Sequence, residues 1–283
     1  NEAKLKASDG GPGDYLGFSV AISGDTAVAG AYGDDVGAAK NLGSAYVFTR
    51  SGSTWSEQQK LTASDAGAGD HFGLSVGVSG DTIVVGSPYD YDGTVQSGSA
   101  FVFSRSAGVW TEQAKLVPSD PSDYMEFGGH VAIQGDTVVV GAYRDRELGQ
   151  AAGAAYMFTR SGGVWTQKDK ILAPDGQAYD WFGYTGVSMA GDLLAVGRAA
   201  GGGVRNYGWV YVLRLGSSGL YREETQVKGE PVEDHFAWSP AITEKYRDLE
   251  VRFAKNPDAL IERVVGDDVV SHTVRELLEG VEF

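Results

Sequence analysis

Short stretches of alternating apolar and polar residues recur along most of the chain. In residues 18–23 the two kinds alternate, and residues 26–31 continue as a more apolar stretch. Alternation with a period of two predicts half-buried β-strands. The dipeptide Gly24-Asp25 between the stretches predicts a two-residue turn, because glycine readily adopts the positive φ that such turns require. The two stretches are therefore predicted to form a β-hairpin.

Two further strands complete the unit that this hairpin begins. A loop over residues 32–42 leads to a predicted strand at 44–49, and a turn at 51–54 leads to a last strand near 55–62. Four antiparallel strands in a repeat of this length are typical of one blade of a β-propeller.

The unit repeats in register along the chain. Its Phe-Gly position recurs at intervals of 56, 55, 55 and 54 residues, at Leu16-Gly17, Phe72-Gly73, Phe127-Gly128, Phe182-Gly183 and, weakened, Phe236-Ala237. The turn recurs as Gly24-Asp25, Gly80-Asp81, Gly135-Asp136 and Gly191-Asp192, and an aromatic residue recurs as Trp55, Trp110, Trp165 and Tyr221. The sequence therefore predicts an all-β fold, a β-propeller of four-stranded antiparallel blades with four clear repeats and a partial fifth. The tryptophans are expected in the core between blades.

The first residues match the end of a repeat rather than its beginning. Residues 2–7 resemble residues 57–63, which belong to a last strand. They are predicted to pair as the outermost strand of the final blade and so to close the ring.

The composition changes near residue 240. Of the 41 glycines only two follow it, and charged residues become dense. We therefore expect a propeller over residues 1–240 and a charged, helical C-terminal segment over 241–283. Apolar residues at spacings of three and four favour helices: Ile242, Tyr246, Leu249 and Phe253. The alternative is a hairpin over 261–274 around Gly266-Asp267. This segment is a candidate contact for a homo- or hetero-oligomer.

The charge narrows the classes of partner. Against 38 acidic residues there are 23 basic ones, which gives a net charge of −15 and argues against nucleic acid and anionic membrane surfaces. No run of 18 apolar residues is present, so membrane insertion is not expected. Cations, neutral sugars and proteins remain as partners.

The second repeat carries a recognisable motif. Residues 72–88 read Phe-Gly-x-Ser-Val-x-x-x-Gly-Asp-x-x-Val-Val-Gly-x-Pro, which resembles the FG-GAP repeat of integrin α-subunit propellers. The resemblance covers roughly residues 1–240 and implies an adhesion-type protein at the cell surface or outside the cell, with the periplasm also possible.

The resemblance also implies a calcium loop between the first two strands of a repeat. Here that loop is only a Gly-Asp turn, whereas a calcium site needs six or more oxygen ligands. We therefore expect no cofactor and expect the calcium loop of the family to be absent.

One face of the predicted propeller collects acidic and aromatic side chains. Successive loops of a blade alternate between faces, so the loops between blades and the long loops between second and third strands share one side, called the loop face below. Its candidate ligand-binding residues are Tyr32, Asp34, Asp35, Tyr89, Asp90, Asp92, Tyr143 and Asp145. The weak candidates for a metal site are Asp65, Asp70, Asp90 and Asp92. The alternative is that these aspartates cap turns and the tyrosines pack between blades.

No catalytic motif is present. The chain lacks a Gly-x-Ser-x-Gly elbow, a His-Glu-x-x-His pair and a phosphate-binding loop. The sequence predicts a non-enzymatic interaction module that binds protein or glycan through the loop face. A structural subunit of an extracellular assembly or filament is the alternative, and a hydrolase or lyase using paired carboxylates has only fold precedent behind it.

Overall fold

The computed structural model describes residues 3–35, 40–199, 208–228, 260–265 and 268–273, and no helix occurs among them. The first sheet contains β1 (Val20–Ser23), β2 (Thr26–Ala31), β3 (Ser44–Ser51) and β4 (Thr54–Leu61). The second contains β5 (Ser75–Ser79), β6 (Thr82–Ser87), β7 (Ser99–Ser106) and β8 (Val109–Leu116). The third contains β9 (Phe127–Gln134), β10 (Thr137–Ala142), β11 (Ala154–Ser161) and β12 (Val164–Ile171).

The fourth sheet has six strands. They are β13 (Phe182–Ala190), β14 (Leu193–Ala199), β15 (Gly208–Leu215), β16 (Tyr221–Lys228), β17 (Leu260–Val265) and β18 (Asp268–Thr273). In every sheet the strand order follows the chain, as expected of up-and-down blades. The predicted all-β fold is confirmed, and four such repeats fit a β-propeller.

The Gly-Asp marker is the turn between the first two strands of each sheet. Ser23 pairs with Thr26, so the turn has two residues, and Gly24 has a φ of 58°. The aspartate of each turn accepts a hydrogen bond from an arginine near the end of the third strand. Three of these Nε–Oδ1 distances are 2.7 Å, in Arg50–Asp25, Arg105–Asp81 and Arg160–Asp136. The carboxylate at this marker therefore holds the hairpin to the sheet.

The chain divides into two compact units, Asn1–Ala142 with Tyr156–Lys168, and Tyr143–Ala155 with Asp169–Phe283. In the first unit, consecutive sheets are joined by hydroxyl groups. The amide of Val76 donates to Ser19 Oγ at 3.0 Å, and the amide of Gly80 donates to Ser23 Oγ at 3.1 Å. Arg105 Nη1 donates to Thr26 Oγ1 at 3.0 Å. Polar bonds thus fix how the second sheet lies on the first.

In the second unit, the fourth sheet begins against the loop before β11. The amide of Phe182 donates to the carbonyl of Ala152 at 2.9 Å, and Gly153 forms an isolated parallel bridge with Phe182. The ring of Phe182 is buried and lies edge-on to Tyr211 at 5.3 Å. The Phe-Gly position is therefore a docking point for the sheet that follows it.

The predicted pairing of the N-terminal residues is wrong. Residues 3–7 form no strand, and Leu5 and Ala7 pack on the first sheet beside Trp55. Ser8 then binds Glu57 through its amide at 2.7 Å and its hydroxyl at 2.8 Å. The physical reason is that each segment between sheets crosses to the sheet that follows, as Ser64 does when it binds Glu112. The residues beside β16 are those of β17 instead.

The helical prediction for the C-terminal segment is wrong over residues 260–265 and 268–273. β17 and β18 pair antiparallel, as in the hairpin alternative, and β17 also pairs with β16. Their β-branched residues favour a strand, and β16 offers an edge with unpaired backbone groups. The rest of 241–283, the boundary near 240 and the partial fifth repeat at 234–237 lie outside the described residues.

We expect Trp110→Ala to lower the free energy of unfolding by about 3–5 kcal/mol, through lost buried area and a cavity. Trp110 is 2% exposed, and its indole N–H donates to Gln58 Oε1 at 3.0 Å. Urea denaturation measures the loss. Trp55→Ala is the matched control, because Trp55 occupies the same repeat position but is only half-buried. The free energy of unfolding should fall clearly less in Trp55→Ala than in Trp110→Ala. An equal fall in both variants would contradict the packing role of Trp110.

Candidate functional site

Beneath the loop face, a lysine from the fourth strand of each of the first three sheets lies between acidic side chains. We call these arrangements the lysine sockets. Lys60 Nζ lies 2.7 Å from Asp9 and 2.6 Å from Asp34. Lys115 Nζ lies 2.6 Å from both Asp65 and Asp90. Lys170 Nζ lies 2.8 Å from both Asp145 and Glu147. The first two sockets show that the loop preceding a sheet and the long loop within it converge, as the sequence predicted.

An aromatic ring forms the floor of the first socket. Lys60 pairs across the strands with Tyr46, and its Nζ lies 5.2 Å from the ring centroid. The hydroxyl of Tyr46 donates to Asp9 at 2.7 Å. Burial alone would lower the pKa of Lys60, but its bonds to Asp34 and Asp9 outweigh burial and raise that pKa above its ordinary value. Lys60 therefore stays charged.

The fourth sheet replaces this lysine with an arginine from another strand. Gln226 pairs with Tyr211 where Lys60 pairs with Tyr46. Arg198, at the end of β14, supplies the cation, and its guanidinium lies 2.7 Å from Asp180 and 3.1 Å from Asp175. Arg198 also donates to the hydroxyl of Tyr211 at 2.7 Å. A buried cation is thus kept even though the residue that carries it has moved.

The socket of Lys115 holds a third carboxyl group. Asp70 is buried, and burial raises its pKa to about 6, with the charges of Asp90 and Asp65 acting in the same direction. The Asp70 carboxylate accepts a hydrogen bond from the amide of Gly67. This socket therefore takes up a proton near pH 6.

The four metal candidates do not lie together as free ligands. Asp65 and Asp90 bind Lys115, Asp70 binds the backbone, and Asp92 is exposed. In the part of the chain that the structure describes, no group of three or more His, Asp or Glu side chains is arranged to hold a metal ion. A cation entering this socket would have to displace the ammonium group of Lys115.

The candidate ligand-binding residues fall into two classes. The buried members are Asp34, Asp90 and Asp145, each paired with a lysine. Asp35 lies at the surface, where its bond to Lys40 and the amide of Asn41 lower its pKa. Asp92 is exposed, and Tyr32, Tyr89 and Tyr143 remain accessible at the loop face. Of the candidate residues, a ligand can therefore reach the three tyrosines and the two surface aspartates, Asp35 and Asp92.

Four rings in the first unit form a continuous row, which we call the aromatic row. Tyr15 and Tyr32 are parallel with centroids 5.0 Å apart. His71 lies 5.3 Å from Tyr32 and 5.0 Å from Tyr89. Phe18 lies edge-on against Tyr32 at 4.8 Å. Tyr15 and Phe18 are 60% and 62% exposed, so one end of the row is open to solvent.

A second aromatic group occupies equivalent positions in the second unit. The ring of Tyr184 lies 4.6 Å from Tyr143 and 5.6 Å from Trp181. Sequence reasoning found Tyr143 but missed its two neighbours. The available signal was that the residue before the Phe-Gly position is aromatic in three repeats out of four, at Tyr15, His71 and Trp181 but not Glu126.

The residue before each Phe-Gly position has a left-handed backbone. The φ angles are 55° at Tyr15 and His71, 56° at Glu126 and 54° at Trp181. Non-glycine residues rarely adopt this region, and aromatic side chains have no local hydrogen bond to offset its cost. The four positions therefore share one backbone conformation, although their side chains differ in exposure, from 60% at Tyr15 to 5% at Glu126.

We expect Lys115→Met to lower the free energy of unfolding at pH 7 by about 3 kcal/mol or more, because it leaves buried carboxylates without a counter-charge. Urea denaturation checks this value. Lys40→Met is the control, because the Lys40–Asp35 pair is exposed to solvent, and its effect on the free energy of unfolding should be much smaller than that of Lys115→Met. If Lys115→Met left the free energy of unfolding unchanged, the socket would contribute nothing to stability.

We expect calcium to leave the melting temperature nearly unchanged. At about 1 mM calcium, a site with a Kd of about 1 mM adds only about 0.4 kcal/mol. Thermal unfolding with calcium and with chelator tests this expectation. A clear rise that chelator reverses would contradict it, and loss of that rise in Asp92→Ala would locate the ion.

No helix suited to crossing a membrane is found in the described residues. No curated protein matches the chain. The family model of the FG-GAP repeat matches it four times, at residues 1–48, 55–103, 110–158 and 165–213. These matches cover more than half of the 283 residues, and each of them ends within the third strand of one of the four sheets. The chain belongs to the FG-GAP repeat family.

Proposed function

We propose that this protein is a non-enzymatic, adhesion-type interaction module that binds glycan or protein through its loop face. FG-GAP repeats are typical of extracellular or surface proteins and suggest a propeller used for interaction. The observation that carries the proposal is the aromatic row, because a contiguous group of rings that is open to solvent at one end is a common feature of recognition surfaces. We place the protein at the cell surface or outside the cell, with the periplasm as a further possibility.

The sockets argue against catalysis by the loop carboxylates. A hydrolase or lyase that uses paired carboxylates needs one carboxyl group as general acid and one as general base, and both must be able to exchange protons with the substrate. In the described sockets Asp34, Asp90 and Asp145 are instead buried and paired with lysine, and the carboxylate of Asp70 accepts a hydrogen bond from the amide of Gly67. We therefore favour a structural role for these acids over a hydrolase or lyase.

A binding experiment with matched variants tests the proposal. The protein is screened on a glycan array and as bait in a pull-down from extracellular extract, together with the double variant Tyr32→Ala/Tyr89→Ala. We expect the wild-type protein to bind a ligand and the double variant to bind the same ligand at least about tenfold more weakly. A tenfold change in affinity corresponds to about 1.4 kcal/mol of binding free energy. Tyr91→Ala is the control, because Tyr91 is an exposed tyrosine that is not a member of the row. Absence of any partner would count against the proposal.

A structural subunit is the second candidate, and one surface of the first sheet favours it. Val20 and Ile22 in β1 are 70% and 67% exposed. The equivalent Val76 and Val78 in β5 are only 6% and 9% exposed, because the first sheet covers them. A further sheet of the same type would cover the exposed face of β1 in the same way.

Light scattering across a concentration series tests this second candidate. We expect a mass above that of one chain, returning to one chain in Ile22→Asp. Val109→Asp is the control, because Val109 is exposed at the start of β8, away from β1. A monodisperse sample with the mass of one chain at high concentration would contradict the structural role. The C-terminal segment is the other proposed contact, and most of it lies outside the described residues.

A further inference from the structure

We infer that the aromatic row is a platform for a neutral polysaccharide, an inference that rests on the interaction-module function proposed above. It extends that function by naming the ligand class and by assigning Tyr15 and His71 to the site beside Tyr32 and Tyr89. The argument depends on the backbone at these residues, on the order of the rings and on the charges around them.

The backbone shows that the rings are not required by the turn. Tyr15 and His71 have positive φ, a conformation that glycine adopts without strain and asparagine with little. The chain uses glycine for this conformation only two residues earlier, at Gly13 and Gly69. Turn geometry alone would therefore favour a small residue at positions 15 and 71. The rings of Tyr15 and His71 are therefore best explained by a contact that their side chains make.

The arrangement of the rings favours an extended ligand. Three successive centroid distances of 5.0, 5.3 and 5.0 Å connect Tyr15, Tyr32, His71 and Tyr89. The row crosses from the first repeat to the second, and Phe18 widens it at the exposed end. Tyr15 and Tyr32 are stacked and cover one face of each other, so a sugar ring would place its C–H face on a ring face left open, as on the 60% exposed Tyr15. Tyrosine hydroxyls and the imidazole can bond sugar hydroxyls. A chain of several sugars can follow such a row, whereas a single sugar would use only part of it.

The charges favour a neutral ligand. Lys60 and Lys115 are held in their sockets by carboxylates, and the exposed Lys40 is paired with Asp35. Burial lowers the pKa of His71, so its imidazole is neutral at pH 7 and adds no positive charge. The chain as a whole carries a net charge of −15 and repels polyanions. A neutral, hydroxyl-rich polymer needs no free cation to bind it and is not repelled by the negative charge of the chain.

The test separates the ligand contact from the structural role of each ring. Native affinity electrophoresis is run in gels containing hydroxyethylcellulose, xyloglucan, glucomannan or laminarin, with alginate and heparin as polyanions. The variants are Tyr15→Asn and His71→Asn, since asparagine tolerates positive φ. Tyr124→Asn is the matched control, because Tyr124 is also an exposed tyrosine with positive φ and is not a member of the row.

We expect at least one neutral polysaccharide, and neither polyanion, to retard the wild-type protein. The affinity should fall at least tenfold in Tyr15→Asn and His71→Asn and stay unchanged in Tyr124→Asn, while all three keep or raise the melting temperature. Retention of binding in both row variants would overturn the inference, and so would retardation by polyanions alone. A lowered melting temperature in both would show that the rings serve packing. If no polysaccharide binds but a protein captured by the wild type is lost in the row variants, the ligand class is wrong while the interaction module stands.

Discussion

The close approach of consecutive sheets at glycine is the constraint on which the first unit depends. A methyl group at Gly30 would overlap the carbonyl oxygen of Gly73 in the next sheet, and one at Gly86 would overlap that of Gly128. Gly73 itself has a φ of 92° and lies against the carbonyl of Ser44. Both glycines of the FG-GAP motif therefore meet across one interface. The motif is a rule for packing sheets, which explains why it identifies the fold and says little about the ligand.

Once the sheets are packed at this distance, acidic loops meet beneath the loop face and need a cation. Lysine supplies it from the fourth strand in three sheets, and Arg198 supplies it from the second strand of the fourth sheet. Lysine in three sheets and arginine in the fourth occupy equivalent sockets. This substitution indicates that the socket requires a positive charge and does not require one particular residue. Leaving carboxylates unpaired in such a place would be costly, because buried charges need a partner.

The sequence predicted what depends on local periodicity and missed what depends on distant partners. The hairpins followed from alternation and the Gly-Asp turn, so their positions were right. The aspartates were read as an acidic surface, because Lys115 is 50 residues from Asp65 and nothing local connects them. Likewise, Leu260–Val265 was expected in a helix, because β16, the strand edge that pairs with it, precedes it by more than 30 residues.

The proposed recognition uses positions that neither constraint controls. The Phe-Gly glycine and the socket acids recur because packing and charge balance demand them in each repeat. The residue before each Phe-Gly position shares only its backbone conformation, and its side chain differs, as Tyr15, His71, Glu126 and Trp181. Because the repeats share the backbone conformation at this position and not the side chain, the chemistry can change there without disturbing the fold. Aromatic residues at three such positions are therefore better explained by what they contact than by how the chain folds.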